Sequence, residues 1–113
     1  MKQRTTQMRM FRQGDVLVVS VSEIPVSVEK VEREGGRVVL AHGEVTGHAH
    51  AIKGKPVSLF RDPKLAAVFM HVGGSAPVSL EHDEHDTIAI PPGKYRVIRQ
   101  REYSPAEIRN VAD

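Results

Sequence analysis

The chain has 113 residues, of which 40% are hydrophobic and 27% charged, and its formal net charge is +2 at pH 7. A chain of this length forms one domain around a single core. Because it contains no cysteine, disulfide bonds and thiolate metal ligands are excluded. No apolar run approaches the ~20 residues that cross a bilayer, and the N-terminus lacks the apolar segment of a signal peptide. We therefore expect a cytoplasmic protein with no membrane contact.

The N-terminal segment is basic. Four cationic residues precede the first acidic residue, Asp15, and they are Lys2, Arg4, Arg9 and Arg12. We interpret this segment as a flexible, solvated arm, with an arm that contacts phosphate as the alternative. The predicted organisation is a basic arm at residues 1–12 followed by a single β domain at residues 13–113.

The rest of the chain is predicted to form short strands. These strands cover residues 15–21, 26–32, 37–42, 57–61, 64–72, 87–90 and 94–103. They are rich in β-branched residues and are separated by turns such as Gly35-Gly36 and Pro91-Pro92-Gly93. The Leu and Ala content of residues 64–72 is also compatible with a helix, but their position among strands favours a strand.

The C-terminus carries a helix-start pattern. Ser104 suits the N-cap, Pro105 the first helical position, and Glu107 completes a capping box. Short strands with Gly and Pro turns, and no internal repeat, indicate an antiparallel sheet architecture. The predicted fold is therefore all-β, a small antiparallel β-barrel or sandwich with a short C-terminal helix.

Histidines cluster in two segments, residues 40–52 and 80–86. Five of the six histidines lie there, and they are His42, His48, His50, His82 and His85. In a strand, residues two apart project to one face, so His48 and His50 would present two imidazoles with Cα atoms roughly 6.6 Å apart. That spacing suits two ligands of one metal ion, and Glu44 on the same face is a candidate base.

The second segment supplies the remaining candidate ligands. We predict that His82, His85 and Glu84 join His48 and His50 around one divalent transition metal, because imidazole and carboxylate donors suit Zn²⁺, Fe²⁺, Mn²⁺ and Ni²⁺ alike. An open coordination position would make the ion a Lewis acid or a source of hydroxide. The candidate catalytic residues are Glu44, His82 and His85, whereas His71 is interpreted as structural.

Two stretches resemble a known family. The residues Gly43-Glu-Val-Thr-Gly-His-Ala-His50 resemble the first half of the cupin signature, and Ile90-Pro-Pro-Gly93 resembles the turn in its second half. The resemblance implies a metal-binding β-barrel with His48 and His50 among the ligands. This chain departs from the pattern because no glutamate follows His50 at the usual interval. The order of motifs also resembles a small uncharacterised prokaryotic or phage family, which implies no activity.

Two other classes of function remain open. A pair of histidines can act as general acid and general base without metal, as in a ribonuclease, with Arg96 and Arg99 holding phosphates. Alternatively, the chain is a non-enzymatic module that assembles into a homo-oligomer, for example a dimer paired through residues 94–103. The expected partners are therefore a small-molecule substrate, RNA or a second copy, and whether the protein is an enzyme stays open.

Overall fold

A computed structural model of the chain describes residues 9–43 and 48–100. These residues form ten strands and no helix: β1 (Met10–Gln13), β2 (Val16–Ser20), β3 (Glu29–Val31), β4 (Val38–His42), β5 (Ala49–Ile52), β6 (Val57–Asp62), β7 (Ala67–Val72), β8 (Val78–His82), β9 (His85–Ile90) and β10 (Gly93–Arg99). The prediction of an all-β fold is confirmed for this part of the chain.

The strands form two antiparallel sheets. One sheet has six strands in the order β1-β2-β10-β7-β6-β3, and the other has four in the order β4-β5-β8-β9. Each sheet keeps two edges, so the described strands do not close into a barrel. The barrel alternative is therefore wrong. The chain passes from edge strand β3 to edge strand β4 through a turn closed by the backbone pair Glu34 and Arg37, and no hydrogen-bonded ladder joins these two described strands.

One hydrophobic core joins the two sheets, which gives a sandwich-like arrangement. Val16 and Val18 of β2 are fully buried, as are Ile52 of β5 and Leu80 of β8. All four belong to the same cluster of packed side chains. Burying a side chain of this size stabilises the fold by about 1.5–3 kcal/mol relative to leaving it exposed, so these contacts hold the sheets face to face.

Each predicted strand overlaps an observed one. Residues 64–72 include β7, with residues 64–66 in the turn before it, so the strand interpretation is confirmed over the helix. Strand β1 lies partly within the range predicted as an arm, and it pairs with β2 from Met10 opposite Val19 to Gln13 opposite Val16. The predicted C-terminal helix and residues 1–8 lie outside the described residues. Among residues 9–43 and 48–100 there is no helix long and apolar enough to cross a membrane.

Two turns meet where the sheets approach each other. The β1–β2 turn contains Gly14 and Asp15, and the β8–β9 turn contains Asp83 and Glu84. The turns are joined because the Gln13 side chain, at the end of β1, donates to backbone carbonyls of the four-stranded sheet. This end of the molecule carries the histidines.

Candidate functional site

Four imidazole rings converge at this end of the sandwich. The ring centroid of His82 lies 4.2 Å from that of His50, 4.8 Å from that of His85 and 5.9 Å from that of His48. The centroids of His50 and His85 are 5.8 Å apart. The two histidine segments, which are separated by some thirty residues in the sequence, therefore form one cluster with His82 at its centre.

His50 is held in a defined tautomer by Gln13. The Gln13 amide nitrogen donates to the backbone carbonyls of Leu80 and Asp86, each at 2.9 Å. Its amide oxygen is therefore the group that lies 2.8 Å from Nδ1 of His50, and it accepts a hydrogen bond from that nitrogen. The proton of neutral His50 sits on Nδ1, and Nε2 keeps its lone pair free.

The environment of His50 keeps the ring neutral. Only 3% of the residue is exposed. Burial lowers the pKa of His50 from 6.5 to about 4, with further lowering by His82, His85 and Arg99 and an opposing effect of Asp15. At neutral pH this imidazole is an unprotonated donor with an available lone pair, the form in which histidine binds metals.

The β1–β2 turn brings a carboxylate to His50 and lies against His85, which the β8–β9 hairpin places nearby. Asp15 Oδ1 lies 3.7 Å from His50 Nε2, while Asp15 Oδ2 lies 3.3 Å from a guanidinium nitrogen of Arg99. A Cβ added at Gly14 would lie 2.8 Å from His85 Nε2 and 3.3 Å from His50 Cε1. The absence of a side chain at Gly14 thus lets both rings approach the turn that carries Asp15.

The β8–β9 turn constrains His82 and His48 differently. The backbone N–H of Glu84 donates to His82 Nδ1 at 3.0 Å, so neutral His82 carries its proton on Nε2. His48 lies between two carboxylates, with Nε2 3.5 Å from Asp83 and Nδ1 3.6 Å from Glu84. Its buried Nδ1 makes no hydrogen bond within the described part of the chain. His48 is thus the member of the cluster that two carboxylates flank.

The predicted site residues have different outcomes in the structure. His48, His50, His82 and His85 come together, and Glu84 lies beside His48, whereas Glu44 lies outside the described residues. Two other histidines lie apart from these ring contacts: His71 is exposed on β7 of the six-stranded sheet, and His42 pairs with Glu34 at 3.1 Å. As they stand, no three histidine, aspartate or glutamate side chains among residues 9–43 and 48–100 are arranged to hold a metal ion.

Three site residues were missed by the sequence analysis: Gln13, Gly14 and Asp15. They are consecutive, and Gly14 is a recognisable turn signal. No local pattern shows that this turn faces the histidines, because the hydrogen bond from His50 to Gln13 spans 37 residues and joins different sheets. Arg99, considered for phosphate binding, instead contacts Asp15.

Fold and site together define a two-sheet β domain with a histidine and carboxylate cluster at one end. The chain belongs to the family described as domain of unknown function DUF8820, whose model matches residues 12–100. The match begins within β1, runs through β10 and includes every residue of the cluster. Comparison with curated proteins and with solved structures gives no match.

Proposed function

We propose that this protein binds one divalent transition metal ion at the histidine cluster. The proposed ligands are Nε2 of His50, the imidazole of His85 and the carboxylate of Asp15. The observation that carries the proposal is the buried, neutral His50, whose Nδ1–H is tied to Gln13 while Nε2 faces Asp15. A histidine that ligates a metal commonly donates its other ring N–H to an oxygen acceptor in this way.

The charges around the cluster favour a cation. Packed imidazoles disfavour each other's protonation, which is one reason why the pKa of His50 is low. Carboxylates also border the cluster: Asp15 lies near His50, and both Asp83 and Glu84 lie near His48. A bound cation would interact favourably with these carboxylates and with the unprotonated ring nitrogens at once.

The ring spacing is close to that of a metal site. With Zn–N distances of about 2.0–2.1 Å and tetrahedral angles, the ring centroids of two ligating histidines lie roughly 5 Å apart. The observed separation of His50 and His85 is 5.8 Å. Because the side chains do not hold a metal as they stand, the proposal requires His85 and Asp15 to rotate towards His50. His85 is exposed and Asp15 is 34% exposed, so both have room to do so.

The neighbouring residues would complete the site. When bound, the ion would supply a Lewis acid that polarises an oxygen ligand or lowers the pKa of a water molecule. His82 accepts the Glu84 N–H through Nδ1, so its Nε2–H is a hydrogen-bond donor rather than a ready ligand. We therefore propose that His82 holds a proton beside the ion and is not one of the metal ligands, although the sequence pattern predicted it as both a ligand and a catalytic residue. His48 would remain outside the ligand set, between Asp83 and Glu84.

A metal-independent ribonuclease fits these observations less well. A general base works best when its pKa lies near the working pH, whereas the pKa of His50 is about 4. In addition, Asp83 and Glu84 would repel a phosphodiester close to the rings. We therefore place metal binding first and leave the substrate to experiment.

The proposal is tested by metal reconstitution. Chelator-treated protein is incubated separately with Zn²⁺, Fe²⁺ under anaerobic conditions, Mn²⁺ and Ni²⁺, passed through a desalting column and measured by elemental analysis. We expect one ion per chain with at least one of these metals. His50→Ala and His85→Ala should each lower affinity by at least about 100-fold, because loss of an outer-shell partner alone typically costs about 10–100-fold.

The matched control is His71→Ala, which removes an exposed imidazole from the other sheet. This variant should bind the metal as the unmodified protein does. Substoichiometric metal in the unmodified protein with all four ions would overturn the proposal. Equal loss of binding in His71→Ala and His50→Ala would overturn it as well, because the ion would then not be held at the cluster.

A further inference from the structure

A second candidate site lies away from the histidines, in a cleft beside the edge strands β3 and β4. The cleft has a volume of about 540 Å³ and shares no lining residue with the histidine cluster. Its apolar part is formed by Val31 of β3, Val38 of β4, and Val57 and Leu59 of β6. Small-molecule pockets typically measure about 300–1,000 Å³ and combine apolar walls with a few polar groups. The volume of the cleft falls within that range, and its lining is mixed, with four apolar residues among nine.

The cleft is bordered by three cations and one acid. Lys30, Arg33 and Lys55 line it together with Glu32. None of the three cations forms an ion pair with a carboxylate among residues 9–43 and 48–100. The lining thus has an excess of positive charge that the described part of the protein does not neutralise.

Arg33 is held in place by backbone groups rather than by an acid. Its guanidinium donates to the carbonyls of Gly36, Gly54, Lys55 and Val57 at distances of 2.6–3.1 Å. These carbonyls belong to the turn before β4 and to the chain leading into β6, so the guanidinium clamps two walls of the cleft together. Because the acceptors are neutral, the guanidinium keeps its net positive charge in a fixed position, while its Nη2 hydrogens are engaged by the carbonyls of Gly54, Lys55 and Val57.

We propose that this cleft binds a small amphipathic carboxylate, a molecule with a short aliphatic chain and one anionic group. The chain would contact the valine and leucine side chains, while the carboxylate would face Arg33 and Lys55. Apolar contact supplies the binding free energy and charge complementarity sets the orientation. This proposal is independent of metal binding at the histidine cluster.

The test uses octanoate as the probe, with acetate as a head group without a chain and octan-1-ol as a chain without a charge. Binding is followed through amide chemical shifts in ¹H–¹⁵N NMR spectra of the full chain. Octanoate should cause saturable shifts at Val31, Val38, Val57 and Leu59. Acetate and octan-1-ol should each bind more weakly, because each lacks one half of the recognised chemistry.

Charge reversal at the cleft provides the variant and its matched control. Lys55→Glu places an acid at the rim, and Lys64→Glu makes the same change in net charge at an exposed position of the β6–β7 turn. We expect Lys55→Glu to weaken octanoate binding at least about threefold, a change in affinity that corresponds to the loss of one partly exposed ion pair. Lys64→Glu should leave octanoate binding unchanged.

The proposal would be overturned by the absence of a saturable shift with octanoate, by shifts centred outside the cleft, or by equal weakening in Lys55→Glu and Lys64→Glu. Equal affinity for octanoate and octan-1-ol would also overturn it, because the anionic group would then contribute nothing. Both lysines are exposed, so either variant should fold, and the dispersion of the same NMR spectra verifies this.

Discussion

Gln13 and His50 form a buried side-chain pair that links the two sheets, with the Gln13 amide oxygen 2.8 Å from His50 Nδ1. The amide nitrogen of the same residue is held by two backbone carbonyls of the opposite sheet. The orientation of the amide, and with it the tautomer of His50, is therefore set by the backbone rather than by the histidine. The pair connects the packing of the sandwich to the chemistry of the site.

Replacing Gln13 with methionine should affect metal affinity and stability together. Gln13→Met keeps the length of the side chain but removes the acceptor for His50 Nδ1 and the donor for both carbonyls. We expect about 10–100-fold weaker metal binding and a free energy of unfolding lower by about 2 kcal/mol, because buried polar groups lose their partners. Metal titration and urea unfolding measure the two effects. Gln100→Met is the control, because Gln100 is less buried and its side chain accepts a hydrogen bond from Arg12.

The ring nitrogens of His50 provide a readout that needs no metal. In the unmodified, metal-free protein, ¹⁵N shifts should place the proton on Nδ1, and in Gln13→Met the two tautomers should mix. If the variant instead kept both the Nδ1–H tautomer and full metal affinity, Gln13 would have no part in preparing the site.

The buried His50 should also make stability depend on pH. Its pKa is about 4 in the folded protein, compared with 6.5 for a histidine exposed to water in the unfolded chain. Between these values the unfolded chain binds a proton that the folded protein does not, so the free energy of unfolding falls as the pH falls from about 6.5 to about 4. The His50 contribution is at most about 3 kcal/mol and levels off below pH 4, where both states are protonated.

His50→Gln isolates this contribution, because glutamine does not titrate. Urea unfolding of metal-free protein at a series of pH values should show a shallower loss of stability in this variant than in the unmodified protein over that window. His71→Gln is the control, because His71 is exposed. In this variant the free energy of unfolding should fall with pH as steeply as in the unmodified protein. Parallel pH profiles for all three proteins would mean that His50 is not held neutral by its surroundings.

The histidine cluster can be anticipated from the sequence because its members lie in two short segments. The position of His85 is harder to assign, since an unbroken strand would place it on the face opposite His82. The chain turns at Asp83 and Glu84, so His82 and His85 pair across the β8–β9 hairpin with their rings 4.8 Å apart. Local sequence patterns predicted the strands, whereas the β8–β9 turn determined how the histidine rings are arranged.

The features of the fold and site that could not be predicted from the sequence depend on contacts between strands that lie far apart in the chain. Alternating apolar residues show which face of a strand is buried, but not which sheet the strand joins. Hence β3 and β4, adjacent in the chain, end up at the edges of different sheets. Strand β1 was missed because Met10-Phe11-Arg12-Gln13 is short and basic, and only its pairing with β2 makes it a strand. The same pairing forms the β1–β2 turn and so places Asp15 beside His50.

One backbone position offers a stability gain unrelated to the site. Ala66, in the turn before β7, has a φ of 52°, a left-handed conformation that costs a residue with a Cβ about 1–2 kcal/mol. Glycine removes this strain but adds freedom to the unfolded chain, so Ala66→Gly should raise the free energy of unfolding by about 0.5–1 kcal/mol in urea. Ala67→Gly, at the buried first residue of β7, should lower it instead. A loss of stability in Ala66→Gly would show that the turn is not strained.

We predict that the site requires glycine at position 14 because a side chain there would displace His85. This steric effect can be separated from the cost of the positive φ at this position. Both Gly14 and Gly35 have φ near +60°. A Cβ at Gly14 would meet His85 Nε2 at 2.8 Å, whereas a Cβ at Gly35 would have no atom of residues 9–43 and 48–100 within 4 Å. Gly14→Ala and Gly35→Ala should therefore share a backbone cost of about 1–2 kcal/mol, and Gly14→Ala alone should displace the His85 ring.

Metal titration and the ring signals of His85 distinguish the two variants. Gly35→Ala should bind metal as the unmodified protein does, although it is less stable in urea. Gly14→Ala should lose affinity by about tenfold or more, because a ligand moved off its position weakens the whole site. If both variants bound metal equally well and the His85 signals were unchanged, the β1–β2 turn would not form part of the site. The ligand set of His50, His85 and Asp15 would then have to be abandoned, since that turn is what brings Asp15 to His50.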